Sequence, residues 1–313
     1  MKIVASFYTL VSLLSLGVAG TPPTAFNLIV TSSESLAIPV VGGEYMNLMT
    51  STCMTRARVS SYMNGEEYIQ VIASNGHVIP VPVTNASSGI WESLSGARTP
   101  RADPFLGRDP FMSLVPGSLF ARRFRNAMLI PHPTTFTLLA GVDNPAAECY
   151  EGTIGYARSQ NLMIRLNVEV SIIAPPGHDR EGQTLARSPR TQFRINTMQS
   201  RDFISGDAYY ELRREATAIL GIPNDQNWSS LIHLLPLIQY TIYVSDQSED
   251  VAARIVLAPE DYVELHPSGG GRLLVTSPPF GSGTDALGLN FLKHAVVLLD
   301  YENNQIGFCE PVY

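Results

Sequence analysis

The chain has 313 residues, of which 45% are hydrophobic and 16% charged, and its formal net charge is −7. This composition excludes a disordered chain, and the 24 glycines and 22 prolines indicate a turn-rich fold. The negative charge argues against nucleic acid as a partner. The three cysteines are too few for a disulfide scaffold and no pair has metal-ligand spacing, so we expect neither a metal site nor a cofactor.

The first 20 residues support two interpretations. Lys2 precedes an apolar segment that ends in Val-Ala-Gly at residues 18–20, which is an acceptable cleavage site for a signal peptide. Alternatively, residues 7–18 form the first strand of the fold. The segment is too short for a convincing membrane span, so we expect no span in the mature chain.

The next hundred residues predict short strands separated by turns. Residues 26–30 are an apolar run of strand length, and five small or polar residues follow at 31–35. Residues 68–73 and 77–83 predict a hairpin that turns at Asn75-Gly76. Residues 97–126 are rich in Arg, Pro and Asp and predict a long loop with one short helix near 118–124.

The second half repeats the change from an apolar strand to a polar loop. Residues 193–195 lead into a loop that begins at Asn196. A helix is predicted over 207–220, because Ala208, Leu212 and Ala216 share one face and Gly221 can end it. Residues 162–173 alternate well enough to predict a further long strand.

Several of these segments resemble the pepsin-like aspartic proteases. Residues 20–23 are the family's Gly-Thr-Pro-Pro, and the most specific match is the C-terminus, with Leu-Gly-Leu-Asn-Phe-Leu at 287–292 and Asn-Asn-Gln-Ile-Gly-Phe at 303–308. The resemblance implies a mostly β, bilobal fold with short helices. It places a shortened N-terminal lobe at 21–132 and a C-terminal lobe with inter-lobe strands at 133–313.

The resemblance retains the frame of the family's active site without its two aspartates. The two Asp-Thr-Gly-Ser motifs fall on Thr-Ser-Ser-Glu at 31–34 and Asn-Thr-Met-Gln at 196–199. Residues 89–94, Gly-Ile-Trp-Glu-Ser-Leu, match the family's Asp-Gly-Ile-Leu-Gly-Leu without its second glycine. By resemblance, the aspartate positions are Thr31 and Asn196, and the cleft is lined by Thr31, Ser33, Tyr62 (the flap tyrosine), Asn196, Met198 and Gln199.

These replacements remove the two carboxylates on which catalysis in the family depends. An aspartic protease needs two carboxylates that share one proton, whereas threonine and asparagine have no group that ionises near neutrality. Loss of general acid–base catalysis alone costs on the order of 100- to 10,000-fold in rate. The nearest carboxylates, Glu34 and Asp202, lie several residues from the required positions. We therefore assign no catalytic residue.

The leading hypothesis is a secreted, non-catalytic, monomeric protein that binds a peptide, a protein or a small apolar ligand in the inter-lobe cleft. The alternative is an aspartic-type endopeptidase with an unusual active site. A third hypothesis is a decaying gene product without a cleft function.

Two covalent features complete the expectations. Asn85 and Asn227 begin Asn-x-Ser sequons, which a secreted eukaryotic chain would glycosylate. By resemblance, Cys149 and Cys309 lie on neighbouring strands of the inter-lobe sheet, where they would form a disulfide and leave Cys53 free. Three reduced thiols are the alternative.

Overall fold

The structure is a computed structural model that describes residues 23–32, 34–43, 45–50, 67–85, 110–114, 119–159, 164–220, 228–267, 270–278 and 285–312. The interpretations of residues 1–20, Ser33, Cys53, Tyr62, 89–94 and Asn227 therefore lie outside the described residues. Within them, no helix has the length and apolar character needed to cross a membrane.

Strands dominate the described part of the chain. In chain order they are β1 Thr24–Val30, β2 Leu36–Pro39, β3 Tyr45–Met49, β4 Glu67–Ile72, β5 Val78–Asn85, β6 Pro110–Ser113, β7 Asn126–Pro131, β8 Phe136–Ala140, β9 Gly155–Arg158, β10 Arg165–Ile173, β11 Thr184–Arg187, β12 Thr191–Ile195, β13 Asp202–Phe203, β14 Leu237–Tyr243, β15 Val251–Leu257, β16 Val263–Leu265, β17 Gly271–Leu273, β18 Val275–Thr276, β19 Asp285–Leu287, β20 Val296–Asp300 and β21 Gln305–Cys309.

The described helices are short, with one exception. They are α1 Leu119–Arg123, α2 Gly206–Leu220, α3 Pro259–Tyr262 and α4 Leu289–Leu292, with single 3-10 turns at Pro145–Glu148, Tyr150–Gly152, Trp228–Ser230 and Ile232–Leu234. The predicted helices near 118–124 and over 207–220 are confirmed as α1 and α2. Helix α2 buries Ala208, Leu212, Ala216 and Leu220, the one-sided pattern that predicted it.

Two large sheets carry the fold. The first has the order β4-β5-β6-β3-β2-β1-β8-β7-β20-β21-β9, and the second has the order β15-β14-β10-β12-β19-β13-β18. Strand β11 pairs with β10, and β16 with β17 forms a separate hairpin. The first sheet therefore joins strands from the first half of the chain to the C-terminal strands β20 and β21.

The predicted hairpin and the predicted loop had different outcomes. Strands β4 and β5 pair antiparallel around a turn at residues 74–76, which confirms the hairpin. The expectation of a long loop with only a helix over 97–126 is wrong at its C-terminal side. Residues 110–113 form β6, which runs parallel to β3 and antiparallel to β5.

The C-terminal strand is tied covalently to the segment that connects β8 to β9. Strand β21 pairs antiparallel with β9 and β20, and β20 pairs with β7. Cys309, the last residue of β21, forms a disulfide with Cys149, and their Cα atoms are 5.7 Å apart. This separation lies within the usual range for a disulfide, so the pairing expected from the resemblance is confirmed in the structure.

Candidate ligand cleft between the lobes

Two buried threonines join the ends of β3 and β12 by reciprocal hydrogen bonds. Thr50 Oγ1 donates to the carbonyl oxygen of Ile195 at 3.0 Å and accepts from the Thr197 amide at 3.1 Å. Thr197 Oγ1 in turn donates to the carbonyl oxygen of Leu48 at 2.7 Å. The two residues are only 2% and 0% exposed. Each threonine thus binds the carbonyl two positions before the other, which relates the two strand ends by an approximate two-fold axis.

The strands beside this contact repeat the same symmetry. Leu48 of β3 lies opposite Met112 of the parallel strand β6, and Ile195 of β12 lies opposite Leu287 of the parallel strand β19. The residue between the carbonyl and the threonine is Met49 in one lobe and Asn196 in the other. Met49 is therefore the first-lobe counterpart of Asn196.

The expectation that Thr31 pairs with Asn196 across the junction is wrong. Thr31 follows β1, and its Oγ1 lies 2.8 Å from Ser35 Oγ within a local turn. The turn also has a backbone hydrogen bond from the Thr31 amide to the Ser35 carbonyl at 2.9 Å. The chain reaches the junction one hairpin later, because β2 and β3 are joined through Gly42 and Gly43, whose φ angles are +108° and +85°.

Asn196 uses its amide group to shape its own loop. Its Oδ1 accepts from the Met198 amide at 3.0 Å, and its Nδ2 donates to Gln199 Oε1 at 2.8 Å. Gln199 Nε2 donates to the Arg201 carbonyl at 3.0 Å. Asn196, Met198 and Gln199 therefore lie in one loop that follows β12, and the side chain at the position of the family's second aspartate is a neutral amide.

The first-lobe counterpart of Asn196 is neutral as well. Met49 is the last residue of β3, and its thioether has no ionisable group. The two positions that the symmetry brings together therefore supply no carboxylate.

Glu34 does not supply the missing charge. Its carboxylate accepts from Ser200 Oγ and forms an ion pair with Arg272, both in the second lobe. The Ser200 hydroxyl and then the Arg272 guanidinium lower the pKa of Glu34. This carboxylate is held ionised in a cross-lobe contact.

The Asp202 carboxylate is also bound to other groups of the protein. It is fully buried and accepts from the Gly288 and Phe291 amides, Asn290 Nδ2 and the Tyr240 hydroxyl. Burial raises the pKa of Asp202 to about 7, although each of these hydrogen bonds acts to lower it. Its contacts fix β13 to α4, which leaves no path from this carboxylate to a ligand.

In the described part of the chain the strand beside the end of β3 is β6, at residues 110–113, whereas the resemblance assigned this place to residues 89–94, which lie outside the described residues. By the register of β6 and β19, Ser113 is the counterpart of Gly288. At Gly288, a Cβ atom would lie only 2.3 Å from the Arg201 carbonyl oxygen, so the second lobe requires glycine there. Serine at 113 explains why the sequence pattern did not identify β6.

The glycosylation expectations stay untested. Asn85 is the last residue of β5 and pairs with Pro110 of β6, while Asn227 lies outside the described residues. The described residues contain no group of three or more side chains able to hold a metal ion.

Comparison with known proteins supports the fold alone. No protein-family model and no curated protein matches the chain. Among solved structures, the crystal structure of basic 7S globulin from soybean matches with a TM-score of 0.60 and 13% sequence identity, over 92% of this chain and 96% of the globulin. The chain therefore has the mostly β, bilobal, pepsin-like fold that its sequence predicted.

Proposed function

We propose that this chain is a non-catalytic relative of the pepsin-like aspartic proteases that binds a ligand between its lobes. The observation that carries the proposal is the Thr50–Thr197 contact, which keeps the two strand ends together although Met49 and Asn196 replace an acid pair. The two strand ends that border the cleft are thus retained, whereas the acidic groups that activate a water molecule are absent from them.

The proposed ligand is an extended peptide or a segment of a protein, with a small apolar molecule as the further candidate. Clefts of β-rich proteins hold extended peptides by backbone hydrogen bonds and side-chain pockets, and neither needs an acid. Thr31, Ser33 and Tyr62 were expected in this cleft together with the loop at Asn196. In this proposal Met49, the last residue of β3, takes the place of Thr31 as the first-lobe counterpart of Asn196.

We further propose that the protein is secreted as a monomer. The disulfide between Cys149 and Cys309 supports an oxidising compartment, because disulfides are rare in reducing ones. Glycosylation at Asn85 and Asn227 belongs to the same proposal. A lower gel mobility that glycosidase treatment reverses would support it, and an unshifted band from secreting eukaryotic cells would count against it.

Peptide binding is testable by fluorescence polarisation with a labelled random decapeptide pool at pH 5 and pH 7. The protein should bind part of the pool, and Asn196→Arg should abolish binding by filling the junction. Gln247→Arg is the matched control, because it adds the same charge at an exposed position between β14 and β15. An unbound pool, or equal loss in both variants, would overturn the proposal.

A further inference from the structure

Strand β10 of the second sheet has one face toward the core and one toward solvent. Leu166 and Val168 belong to the core, and Asn167 between them lies on the outer face, because side chains alternate along a strand. In the register of the sheet, Asn167 is opposite Gln192 of β12 and opposite Tyr243 of β14. These three side chains are therefore neighbours on the outer face of the sheet.

Asn167 is buried although it lies on this outer face, with only 5% of its surface exposed. Its amide nitrogen and oxygen form no hydrogen bond in the described part of the chain, yet neither atom is completely sealed from solvent. A buried amide without a partner costs free energy, and such groups usually bind a water molecule, an ion or a ligand. Asn167 is thus the base of a narrow recess that contains an unpaired polar group.

The β14 side of the recess is fixed by Arg190. Its guanidinium carbon lies 3.6 Å from the centre of the Tyr243 ring, which is a cation–π contact. Its Nη2 forms an ion pair with Glu249 at 3.1 Å, and its Nη1 donates to two carbonyl oxygens of the turn between β14 and β15. Arg190 therefore covers this side of the recess with a cation whose charge is already paired.

The β12 side of the recess has a cation without an acidic partner. Arg165 Nη1 donates to Gln192 Oε1 at 3.1 Å, which places the guanidinium group beside Asn167, since Gln192 and Asn167 are directly opposite. Glu169, the next outward carboxylate of β10, pairs with Arg187 at 3.3 Å. Arg165 itself forms no ion pair with any described residue. Its charge and its other N–H groups are therefore available to a ligand.

A second arginine adds to the positive charge on this side. Arg194 of β12 is directly opposite Arg165 in the register of the two strands, and like charges in this arrangement repel each other. We propose that the recess binds a small oxyanion that accepts hydrogen bonds from Asn167 Nδ2 and from the Arg165 guanidinium group, whose planar fork suits carboxylate, sulfate and phosphate. The oxyanion is either a free ion or the carboxylate of an acidic residue in a peptide.

Isothermal titration calorimetry with three probes tests the proposal, at about 0.1 M NaCl, where exposed charges more than about 10 Å apart are largely screened. Sodium sulfate represents the free ion, N-acetylglutamate amide represents an acidic peptide side chain, and N-acetylglutamine amide is its neutral counterpart. We expect saturable binding of at least one charged probe and none of the glutamine compound. Binding of sulfate alone assigns the recess to a free ion, and binding of the glutamate compound identifies a peptide carboxylate as an accepted source.

Two variants locate the binding site. Arg165→Gln should weaken the binding roughly threefold to tenfold, since it removes one partly exposed ionic partner. Asn167→Leu should weaken it by a similar factor without lowering the urea midpoint of unfolding, because an apolar side chain of similar shape replaces an unpaired amide. Arg254→Gln is the matched control, because it makes the same charge change at an exposed position of β15 on the same face, and it should alter the affinity by less than about twofold.

Three results would overturn the proposal. They are the absence of saturable binding of both charged probes, an affinity that Arg165→Gln and Asn167→Leu leave unchanged, and an equal loss of affinity in Arg165→Gln and Arg254→Gln. Because the recess does not include Asn196, its failure would leave peptide binding in the cleft unaffected.

Discussion

At the scale of single residues, the chain places neutral side chains where its fold brings two strand ends together. Met49 and Asn196 occupy these ends, and Asn196 uses its amide within its own loop. The acidic side chains nearby have other tasks. Glu34 joins the lobes through Ser200 and Arg272, and Asp202 accepts four hydrogen bonds in the core.

Asp202 should make the stability of the protein depend on pH. Its pKa is raised from 3.8 to about 7 by burial, so the folded state holds its proton over a range in which the unfolded state has released it. The contribution to stability is complete below the unfolded pKa and is lost as the pH rises through the folded pKa. The free energy of unfolding should therefore fall between pH 4 and pH 7, by up to about 1.4 kcal/mol per pH unit from this group.

Urea denaturation of the wild type and of Asp202→Asn at several pH values measures this dependence. The variant should be less stable at pH 5 by about 1–3 kcal/mol, because the NH2 group of an amide accepts no hydrogen bond, whereas the hydroxyl oxygen of the protonated acid still can. The free energy of unfolding of the variant should also fall less between pH 4 and pH 7, because asparagine does not titrate. Parallel stability curves for the two proteins between pH 4 and pH 7 would show that Asp202 does not titrate in this range.

At the scale of secondary-structure elements, the reciprocal contact at the ends of β3 and β12 should couple the lobes energetically. Thr50→Val and Thr197→Val each remove buried hydrogen bonds, and each should destabilise the protein by about 1–3 kcal/mol. Because the two hydroxyls share one network, the double variant should deviate from additivity by about 0.5–3 kcal/mol.

The matched control for this double-mutant cycle is Thr241→Val. Thr241 is 4% exposed and lies in β14, where its Oγ1 accepts from Gln239. Its effect should add to that of Thr197→Val within about 0.5 kcal/mol, as for independent sites. Additive effects of Thr50→Val and Thr197→Val would contradict the proposed coupling.

The elements show which features the sequence predicts and which it does not. Helix α2 and the β4–β5 hairpin follow from local periodicity and from an Asn-Gly turn, so the sequence identified them correctly. The position of Asn196 was also found, because the strand before it leads directly to the junction. The error at Thr31 has a physical reason. The Gly-Thr-Pro-Pro match fixed the alignment one hairpin too early, and only the pairing of β3 with β6 and the contact of Thr50 with Thr197 reveal the counterpart of Asn196.

Strand β6 is a second feature that the local sequence pattern does not predict. Proline and serine at its ends weaken the strand pattern, and the strand forms because it lies between β3 and β5, far away in sequence. Long-range pairing of this kind overrides local propensity. A useful signal was nonetheless present, since Thr50 and Thr197 each come two residues after a buried apolar residue, Leu48 and Ile195.

At the scale of the whole molecule, the disulfide ties the end of the last strand to the segment that connects β8 to β9. It joins residues separated by 160 positions, so it closes a long loop. Replacing Cys149 and Cys309 by serine should lower the free energy of unfolding by about 2–5 kcal/mol. Thiol counting on the unfolded, unreduced protein should find one free thiol among the three cysteines. Three reactive thiols would exclude the bridge in the protein as isolated.

The bilobal, pepsin-like fold brings the ends of β3 and β12 together, and our central claim, which rests on the proposed function, is that this place has no proteolytic chemistry. The most direct test is incubation of the protein with denatured haemoglobin at intervals from pH 3 to pH 7, with and without pepstatin, and with pepsin as a positive control for the substrate. The account predicts no pepstatin-sensitive cleavage at any pH, because neither Met49 nor Asn196 can share a proton with a second acid. Cleavage that pepstatin abolishes would contradict it.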